Sequence, residues 1–359
     1  MHRKMIAIAA ALLAASAKAT PPPPMPPIPL NASWLLATPE PALTTTGDPK
    51  VDAYRLKLIE ESDFTWRPIF TRLLADVRAD PTILQRYDAM RAIDTPTEYL
   101  AFYLTPQRIA DGRKFYASMK GKEPIGDGTP LELKLALWGM LSNYGKRPDF
   151  DLMSAMLTLA AYDKLHQTTA FPIHDAAMLI LDRTVEPSKL RGYDTGRMGD
   201  VQMTPDFYTR LRRDGDRDGF ADIWDNQRDI FANLWIDMTG TDGPLIIPVK
   251  PHHFDASDRG QARLIETMRT QSVMVGYFQR WDGKPWTAES RHWTGRYVEP
   301  FGKEWPAFLL PMAATPINFH DPYRNGYEER GDDGFAIAAA LLAEAIAGRP
   351  IPDLPALKR

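Results

Sequence analysis

A run of alternating carboxylates places the narrowest constraint on how this chain of 359 residues folds. In the twelve residues Asp214–Asp225, Asp stands at positions 1, 3, 5, 9 and 12, and Gly at position 6. This is the spacing of an EF-hand loop, except that the last position holds Asp instead of Glu. Because neighbouring carboxylates repel one another without a cation, the spacing predicts structural Ca²⁺, and the alternative is a solvated acidic turn.

The predicted ligands include one residue beyond the loop. Asp225 is shorter than Glu, so either the loop tightens or Asp229, one helical turn later, completes the coordination shell. The predicted ligands are Asp214, Asp216, Asp218, the carbonyl of Phe220, Asp222, Asp225 and Asp229.

The first 50 residues are predicted to carry an export signal and a spacer. Residues 1–19 have a basic start, a short apolar run and the small-x-small ending Ala17-Lys18-Ala19, which is typical of a signal peptide cleaved after Ala19. The alternative is an uncleaved anchor. Residues 20–50 form a Pro-rich linker, and we expect folded structure to begin near Val51. The sequence therefore predicts an exported, periplasmic protein with no membrane span.

Charge and composition exclude several classes of function. Removing Arg3, Lys4 and Lys18 with the signal peptide changes the formal net charge from -3 to -6, which argues against a basic nucleic-acid binder. The chain contains no Cys, so disulfides, thiolate metal sites and cysteine nucleophiles are ruled out.

Apolar periodicity predicts a mostly helical α+β protein. Helical patterns cover residues 51–74, 81–93, 105–119, 149–164, 176–181, 226–238 and 334–348. A capping box at Thr129-Pro130-Leu131-Glu132 predicts the start of another helix, which ends near Gly145. We expect a helical subdomain over 51–125, a core over 126–240, an irregular, strand-containing subdomain over 241–315, and a C-terminal helix and tail over 316–359.

Two segments carry a resemblance to a known family. Residues 138–145 read W-G-M-L-S-N-Y-G and resemble the active-site segment W-G-x-E-S-x-Y-G of the lytic murein transglycosylase B family (soluble lytic transglycosylase type 2 domain). Residues 195–205 are similar to its A-G-A-M-G-x-x-Q-F-M-P stretch, and the Asp-rich loop follows at the family's spacing. The resemblance covers roughly residues 51–348 and implies a lysozyme-like transglycosylase core with an EF-hand-like loop.

One departure from the family pattern bears on catalysis. The family's catalytic Glu is fourth in W-G-x-E, and Leu141 stands there in this chain. The resemblance implies that this one carboxyl group protonates the glycosidic oxygen and then accepts the proton of the C6 hydroxyl, which closes a 1,6-anhydro ring. Because leucine cannot donate or accept a proton, we expect cleavage to be impaired.

Other family positions imply a substrate groove. The matching residues, which line the groove in the family, are Ser142, Asn143, Tyr144, Met198, Gly199 and Gln202. Maintenance of the fold is an equally good interpretation of these residues. Asp200 is the candidate for a relocated acid, although Arg197 would pair with it and hold it ionised. The family's C-terminal N-N-S-x-x-Y-A pattern is not recognisable in residues 331–335.

Three functional hypotheses follow. The first is an exported, calcium-stabilised protein that resembles lytic transglycosylases, binds peptidoglycan glycan strands or scaffolds other cell-wall proteins, and has lost normal catalysis. The second is an active lytic transglycosylase that cleaves MurNAc-GlcNAc bonds to 1,6-anhydro products with Asp200 as the acid. The third is a pure protein-interaction module.

Overall fold

The computed structural model describes most of the chain after the predicted export signal. The described residues are 32–120, 129–147, 149–165, 171–234, 245–251, 263, 267, 273–288, 290–301, 304–310, 322–323 and 329–354. The predicted signal peptide and the start of the Pro-rich linker lie outside these residues. No helix in the described part of the chain is long and apolar enough to cross a membrane.

Among the described residues, six helices precede the core: α1 (Ser33–Leu36), α2 (Pro49–Glu61), α3 (Arg67–Leu73), α4 (Pro81–Arg91), α5 (Pro96–Tyr103) and α6 (Pro106–Met119). Four of them begin with Pro in the first turn behind a capping side chain, namely Asp48, Asp80, Thr95 and Thr105. Proline suits this position because its missing N–H would have no helical partner there. The helical pattern predicted over 51–74 is interrupted, because Asp63 caps a turn by accepting hydrogen bonds from the amides of Thr65 and Trp66.

Folded structure begins before Val51, contrary to the sequence prediction. The Thr44 amide donates to the Ala75 carbonyl over 3.1 Å. The buried Arg55 guanidinium donates to the Thr44 carbonyl over 2.6 Å. Helix α1 packs against α3. The second half of the predicted linker is therefore part of the folded domain.

The centre of the molecule is helix α7 (Leu131–Leu141), which is buried along nearly its whole length. Helix α12 (Glu329–Ile346) packs across both α7 and α5, as its nearly all-apolar sequence predicts. The predicted capping box is not formed, because α7 begins behind Pro130 without a side-chain cap. Glu132 instead accepts a hydrogen bond of 2.8 Å from Arg349, which ties the start of α7 to the residues after α12.

The remaining elements complete the core and form two small sheets. Strands β1 (Phe150–Asp151) and β2 (Arg191–Gly192) pair antiparallel, and around them lie α8 (Leu152–Ala161), α9 (Pro172–Leu181), α10 (Pro205–Leu211) and α11 (Gln227–Asn233). A second, antiparallel sheet has the order β3-β6-β5-β4, with β3 (Ile247–Val249), β4 (Val273–Met274), β5 (Thr294–Val298) and β6 (Ala307–Leu310).

The second sheet has its own hydrophobic cluster. Phe278 and Tyr297 are buried in it and stack with ring centroids 5.2 Å apart, while Trp286 and Trp293 pack against it. Most aromatic residues of this segment therefore serve packing. Tyr277, in contrast, is 69% exposed. The molecule is a mostly helical α+β protein, as predicted.

Candidate functional site

The site begins at the C-terminal end of α7, where the family pattern has its catalytic Glu. Leu141, the last residue of the helix, is 4% exposed and belongs to the main hydrophobic core. Its carbonyl oxygen accepts hydrogen bonds from Nε2 of Gln202 over 2.7 Å and from Nη1 of Arg147 over 3.4 Å. Position 141 therefore contributes a backbone acceptor and an apolar side chain.

A tight loop of left-handed residues follows the helix. Asn143, Tyr144 and Gly145 have φ values of 55°, 59° and 74°. Asn tolerates this region better than most residues, and Gly adopts it without cost. Ser142 closes the loop, because its Oγ donates to the Trp138 carbonyl over 3.1 Å and accepts from the Gly145 amide over 3.0 Å.

Tyr144 is a packing residue in this loop. It is 4% exposed, and its hydroxyl donates to the Arg108 carbonyl over 3.0 Å. Its ring lies directly against Gly139 and Gly112, where an added Cβ would lie 2.5 Å and 2.6 Å from Tyr144 atoms. The two glycines thus create the space into which Tyr144 fits.

The second motif forms a turn that supports the end of α7. Met198 and Met203 pair through two backbone hydrogen bonds of 2.8 Å and 2.9 Å. Gly199, with φ 61°, packs so closely on Ile223 that a Cβ would lie 2.6 Å from it. Oε1 of Gln202 accepts a hydrogen bond of 2.8 Å from the Thr195 hydroxyl, and its Nε2 donates to the Leu141 carbonyl.

The burial of the six predicted groove residues favours a structural interpretation. Asn143 is half-buried, and the other five are buried. The side-chain hydrogen bonds of Ser142, Tyr144 and Gln202 described above all go to other parts of the chain. The structure brings the predicted groove residues together at the end of α7, but it does not present most of them on the surface.

Asp200 lies beside the same helix end in a buried pocket of hydrogen-bond donors. Its Oδ2 accepts from Nε1 of Trp138 over 2.7 Å, and its Oδ1 accepts from the Tyr193 hydroxyl over 2.8 Å. Burial raises the pKa of Asp200, although the hydrogen bonds from Trp138 and Tyr193 act in the opposite direction. The pKa of Asp200 is thus shifted in the direction opposite to the one expected from pairing with Arg197, and burial is the largest cause.

Three residues near Leu141 were missed by the sequence analysis. The Arg147 guanidinium donates to Oδ1 of Asp194 and contacts the Tyr323 hydroxyl, which itself donates to Asp194 over 2.9 Å. Asp194 directly precedes the second motif, so proximity in sequence was available as a signal. Tyr323 is 129 residues away from Asp194, and no local pattern could have located it.

The Asp-rich loop brings part of the predicted metal-binding set together. Asp214, Asp216 and Asp229 each offer a carboxylate oxygen, and these oxygens lie within 4.8 Å of one another. Asp229 is buried and accepts hydrogen bonds from the amides of Gly215 and Asp222. Three carboxylates are the hard oxygen donors that Ca²⁺ prefers, so these residues fit the ion.

Other predicted ligands are held outside this cluster. Nζ of Lys189 lies 2.5 Å from Oδ2 of Asp222, and Nη2 of Arg191 lies 3.2 Å from Oδ1 of Asp225. Asp218 accepts a hydrogen bond from the Phe220 amide over 2.8 Å. These ion pairs hold Asp222 and Asp225 against Lys189 and Arg191. Of the three residues that the sequence offered to complete the shell, Asp222, Asp225 and Asp229, it is Asp229 that lies with Asp214 and Asp216.

Comparison with known proteins connects the two motifs to a domain family. Residues 57–235 match the family described as "Transglycosylase SLT domain". No curated protein sequence matches the chain.

Several solved structures share the fold. SltB3 from Pseudomonas aeruginosa in complex with NAG-anhNAM-pentapeptide is 25% identical, with a TM-score of 0.58 over 85% of this chain and 82% of that chain. The Escherichia coli lytic transglycosylase Slt35 in complex with calcium is 15% identical, with a TM-score of 0.57 over 86% of this chain and 96% of that chain. Soluble lytic transglycosylase SltB1 from P. aeruginosa is 19% identical, with a TM-score of 0.54 over 84% of this chain and 99% of that chain. The lysozyme-like transglycosylase architecture expected from the sequence is confirmed.

Proposed function

Because residues 57–235 match the transglycosylase SLT domain family, we propose that this chain binds peptidoglycan glycan strands and is impaired in cleaving them. The observation that carries the proposal is Leu141, whose buried, apolar side chain ends helix α7. SltB3, which is 25% identical to this chain, has been solved with NAG-anhNAM-pentapeptide, and this supports the choice of ligand.

The impairment follows from the chemistry of a single-carboxylate mechanism. Protonation of the glycosidic oxygen and removal of the C6 hydroxyl proton both require a group that exchanges protons. Loss of a general acid–base group costs on the order of 10²–10⁴-fold in rate. The Leu141 side chain cannot exchange a proton, and the hydrogen bonds at this position are made by the backbone.

The second candidate function is cleavage with Asp200 as the acid. The raised pKa of Asp200 favours it, because a carboxyl group that stays protonated to higher pH is the form that a general acid needs. Against it, both carboxylate oxygens are held by Trp138 and Tyr193, and the residue is only 7% exposed.

The third candidate is a module that scaffolds other cell-wall proteins without binding glycan. The buried groove residues favour this candidate, because hydrogen-bonding groups that hold the fold together are not available to a sugar. Binding to isolated glycan decides between it and our first proposal.

We further propose that Ca²⁺ is structural and binds the cluster of Asp214, Asp216 and Asp229. The short separation of their oxygens supports this, as does the calcium complex of Slt35, which shares the fold. The bound ion would neutralise the cluster and fix the start of α11 against the loop. The predicted signal peptide would carry the chain to the periplasm, where peptidoglycan lies.

One experiment separates the three functions. Purified sacculi are incubated with the protein, and both sedimented protein and released anhydro-muropeptides are measured. Binding without release supports a glycan binder, and release that Asp200→Asn removes supports the enzyme. Neither binding nor release supports the interaction module.

A further inference from the structure

Arg147, Asp194 and Tyr323 form a charged cluster beside the end of α7. The Arg147 guanidinium donates to Oδ1 of Asp194 and contacts the hydroxyl of Tyr323. Its Nη1 also lies 3.4 Å from the carbonyl oxygen of Leu141. The cluster is therefore attached directly to the position at which the catalytic group is missing.

One of the two oxygens of the Asp194 carboxylate accepts no hydrogen bond from the described residues. Within the described part of the chain, Oδ2 of Asp194 is buried and has no hydrogen-bond partner, and the residue is 0% exposed. Leaving a buried acceptor without a donor costs about 1–3 kcal/mol, and more for a charged group. A feature this costly calls for an explanation, and a missing ligand with a second donor is a direct one.

The donors from Arg147 and Tyr323 both reach the same oxygen of Asp194, Oδ1. A phenol has one hydroxyl, and that of Tyr323 donates to Oδ1 over 2.9 Å. The Arg147 guanidinium lies between the rings of Tyr193 and Tyr323, at 5.2 Å and 5.4 Å from their centroids. Tyr323 thus presents a flat ring and a single donor to a carboxylate whose two oxygens both accept hydrogen bonds.

We propose that Asp194 and Arg147 form a subsite for an N-acetylhexosamine ring, and that Tyr323 occupies this subsite as an internal substitute for the sugar. The inference rests on the proposed binding of peptidoglycan and names the residues that hold the glycan. Adjacent carbons of an N-acetylhexosamine carry hydroxyl and acetamido N–H donors, so one ring supplies donors to both oxygens of Asp194. The Arg147 guanidinium pairs with Oδ1 of this carboxylate and orients it.

The proposal predicts competition between Tyr323 and glycan. Asp194 is fully buried and Tyr323 is 1% exposed, so a sugar reaches the carboxylate only when the phenol side chain leaves. An internal competitor lowers the apparent affinity by the fraction of molecules in which the site is open. Weakening the contact between Tyr323 and Asp194 should therefore tighten the binding of glycan. Removing an aromatic residue that contacts the sugar would instead weaken it.

The test is calorimetric titration of the purified protein with a soluble N-acetylglucosamine tetramer, together with sedimentation on sacculi. Tyr323→Phe should raise the affinity several-fold, and Tyr323→Ala should raise it about tenfold. Adding Asp194→Asn to either variant should remove the gain. Tyr116→Ala, a tyrosine change on α6, is the matched control and should leave the affinity unchanged, and thermal melts verify that each variant is folded.

Each outcome has a separate meaning. Unchanged or weaker binding by a folded Tyr323→Phe variant overturns the subsite proposal but leaves peptidoglycan binding standing if the parent protein sediments with sacculi. Equal affinity with and without Asp194→Asn overturns it as well. If neither the parent protein nor the Tyr323 variants bind either probe, the proposed function fails together with the subsite.

Discussion

The indole of Trp138 donates a hydrogen bond of 2.7 Å to the carboxylate of Asp200, 62 residues further along the chain. Trp138 lies on α7 one turn before Leu141, and Asp200 lies in the turn that also carries Gln202. Two side chains from one turn therefore hold the helix end, one through the indole and one through the Leu141 carbonyl. This arrangement gives Asp200 and Gln202 a role in supporting the core.

Calcium should stabilise the protein through the cluster of Asp214, Asp216 and Asp229. A ligand at about 100 times its Kd adds about 2.7 kcal/mol to the free energy of unfolding. Thermal melts in excess Ca²⁺ should therefore exceed those in EDTA by several degrees, and Asp229→Asn should abolish the difference. Asp222→Asn is the control, because Asp222 is paired with Lys189, and it should keep the difference. Equal melting temperatures of the unaltered protein in Ca²⁺ and EDTA would remove the metal assignment.

Restoring the carboxyl group at position 141 should restore weak cleavage. In Leu141→Glu the new side chain would be buried, which raises its pKa and favours the protonated form that a general acid needs. The same burial should lower the free energy of unfolding by about 1–3 kcal/mol, measured in denaturant. We would combine it with Arg197→Ala, which returns that position to the residue of the family pattern.

The matched control for this restoration is Leu141→Gln, which has the same size but cannot exchange a proton. Release of anhydro-muropeptides by the Glu variant alone is the expected result. Equal release by the Glu and Gln variants would show that the acid is elsewhere. No release from a folded, calcium-binding double variant would mean that sugar contacts have been lost as well.

His174 should make the fold sensitive to acid. Burial against Trp66, Phe70 and Phe171 lowers its pKa from 6.5 to about 4. The folded state thus favours neutral histidine, so its contribution is fully present above pH 6.5 and is lost as the pH falls toward 4. The lost stability should reach at most about 3 kcal/mol. Measured by denaturant unfolding, the stability difference between the protein and His174→Phe should change over this interval, and a constant difference would contradict the assignment.

Gly139 should tolerate no side chain while Tyr144 is present. A Cβ at position 139 would lie 2.5 Å from the Tyr144 ring, so Gly139→Ala should destabilise the protein by about 1–3 kcal/mol. Tyr144→Leu shortens the side chain, and in the double variant the cost of Gly139→Ala should be smaller than in the single variant. Additive effects in denaturant unfolding would show that Gly139 and Tyr144 do not compete for this space.

Local patterns predicted most of the longer helices but not α5 or α10, and they did not predict which side chains meet. The buried helix α12 and the helix α4 follow from apolar periodicity. The capping box at Thr129 failed because Glu132 has a stronger partner in Arg349, a residue distant in sequence. The surroundings of Asp200 were not predictable from Arg197 either, since its donors Trp138 and Tyr193 lie outside the motif that carries both residues. Local sequence also gave no sign that Lys189 and Arg191 would engage Asp222 and Asp225.

The most direct test of our account is the digestion of purified sacculi by the unaltered protein. We predict that the protein sediments with sacculi and that released 1,6-anhydro-muropeptides do not exceed those of a buffer control, because the Leu141 side chain cannot transfer a proton. Release above the control that disappears in Asp200→Asn would contradict this account and would establish a relocated acid.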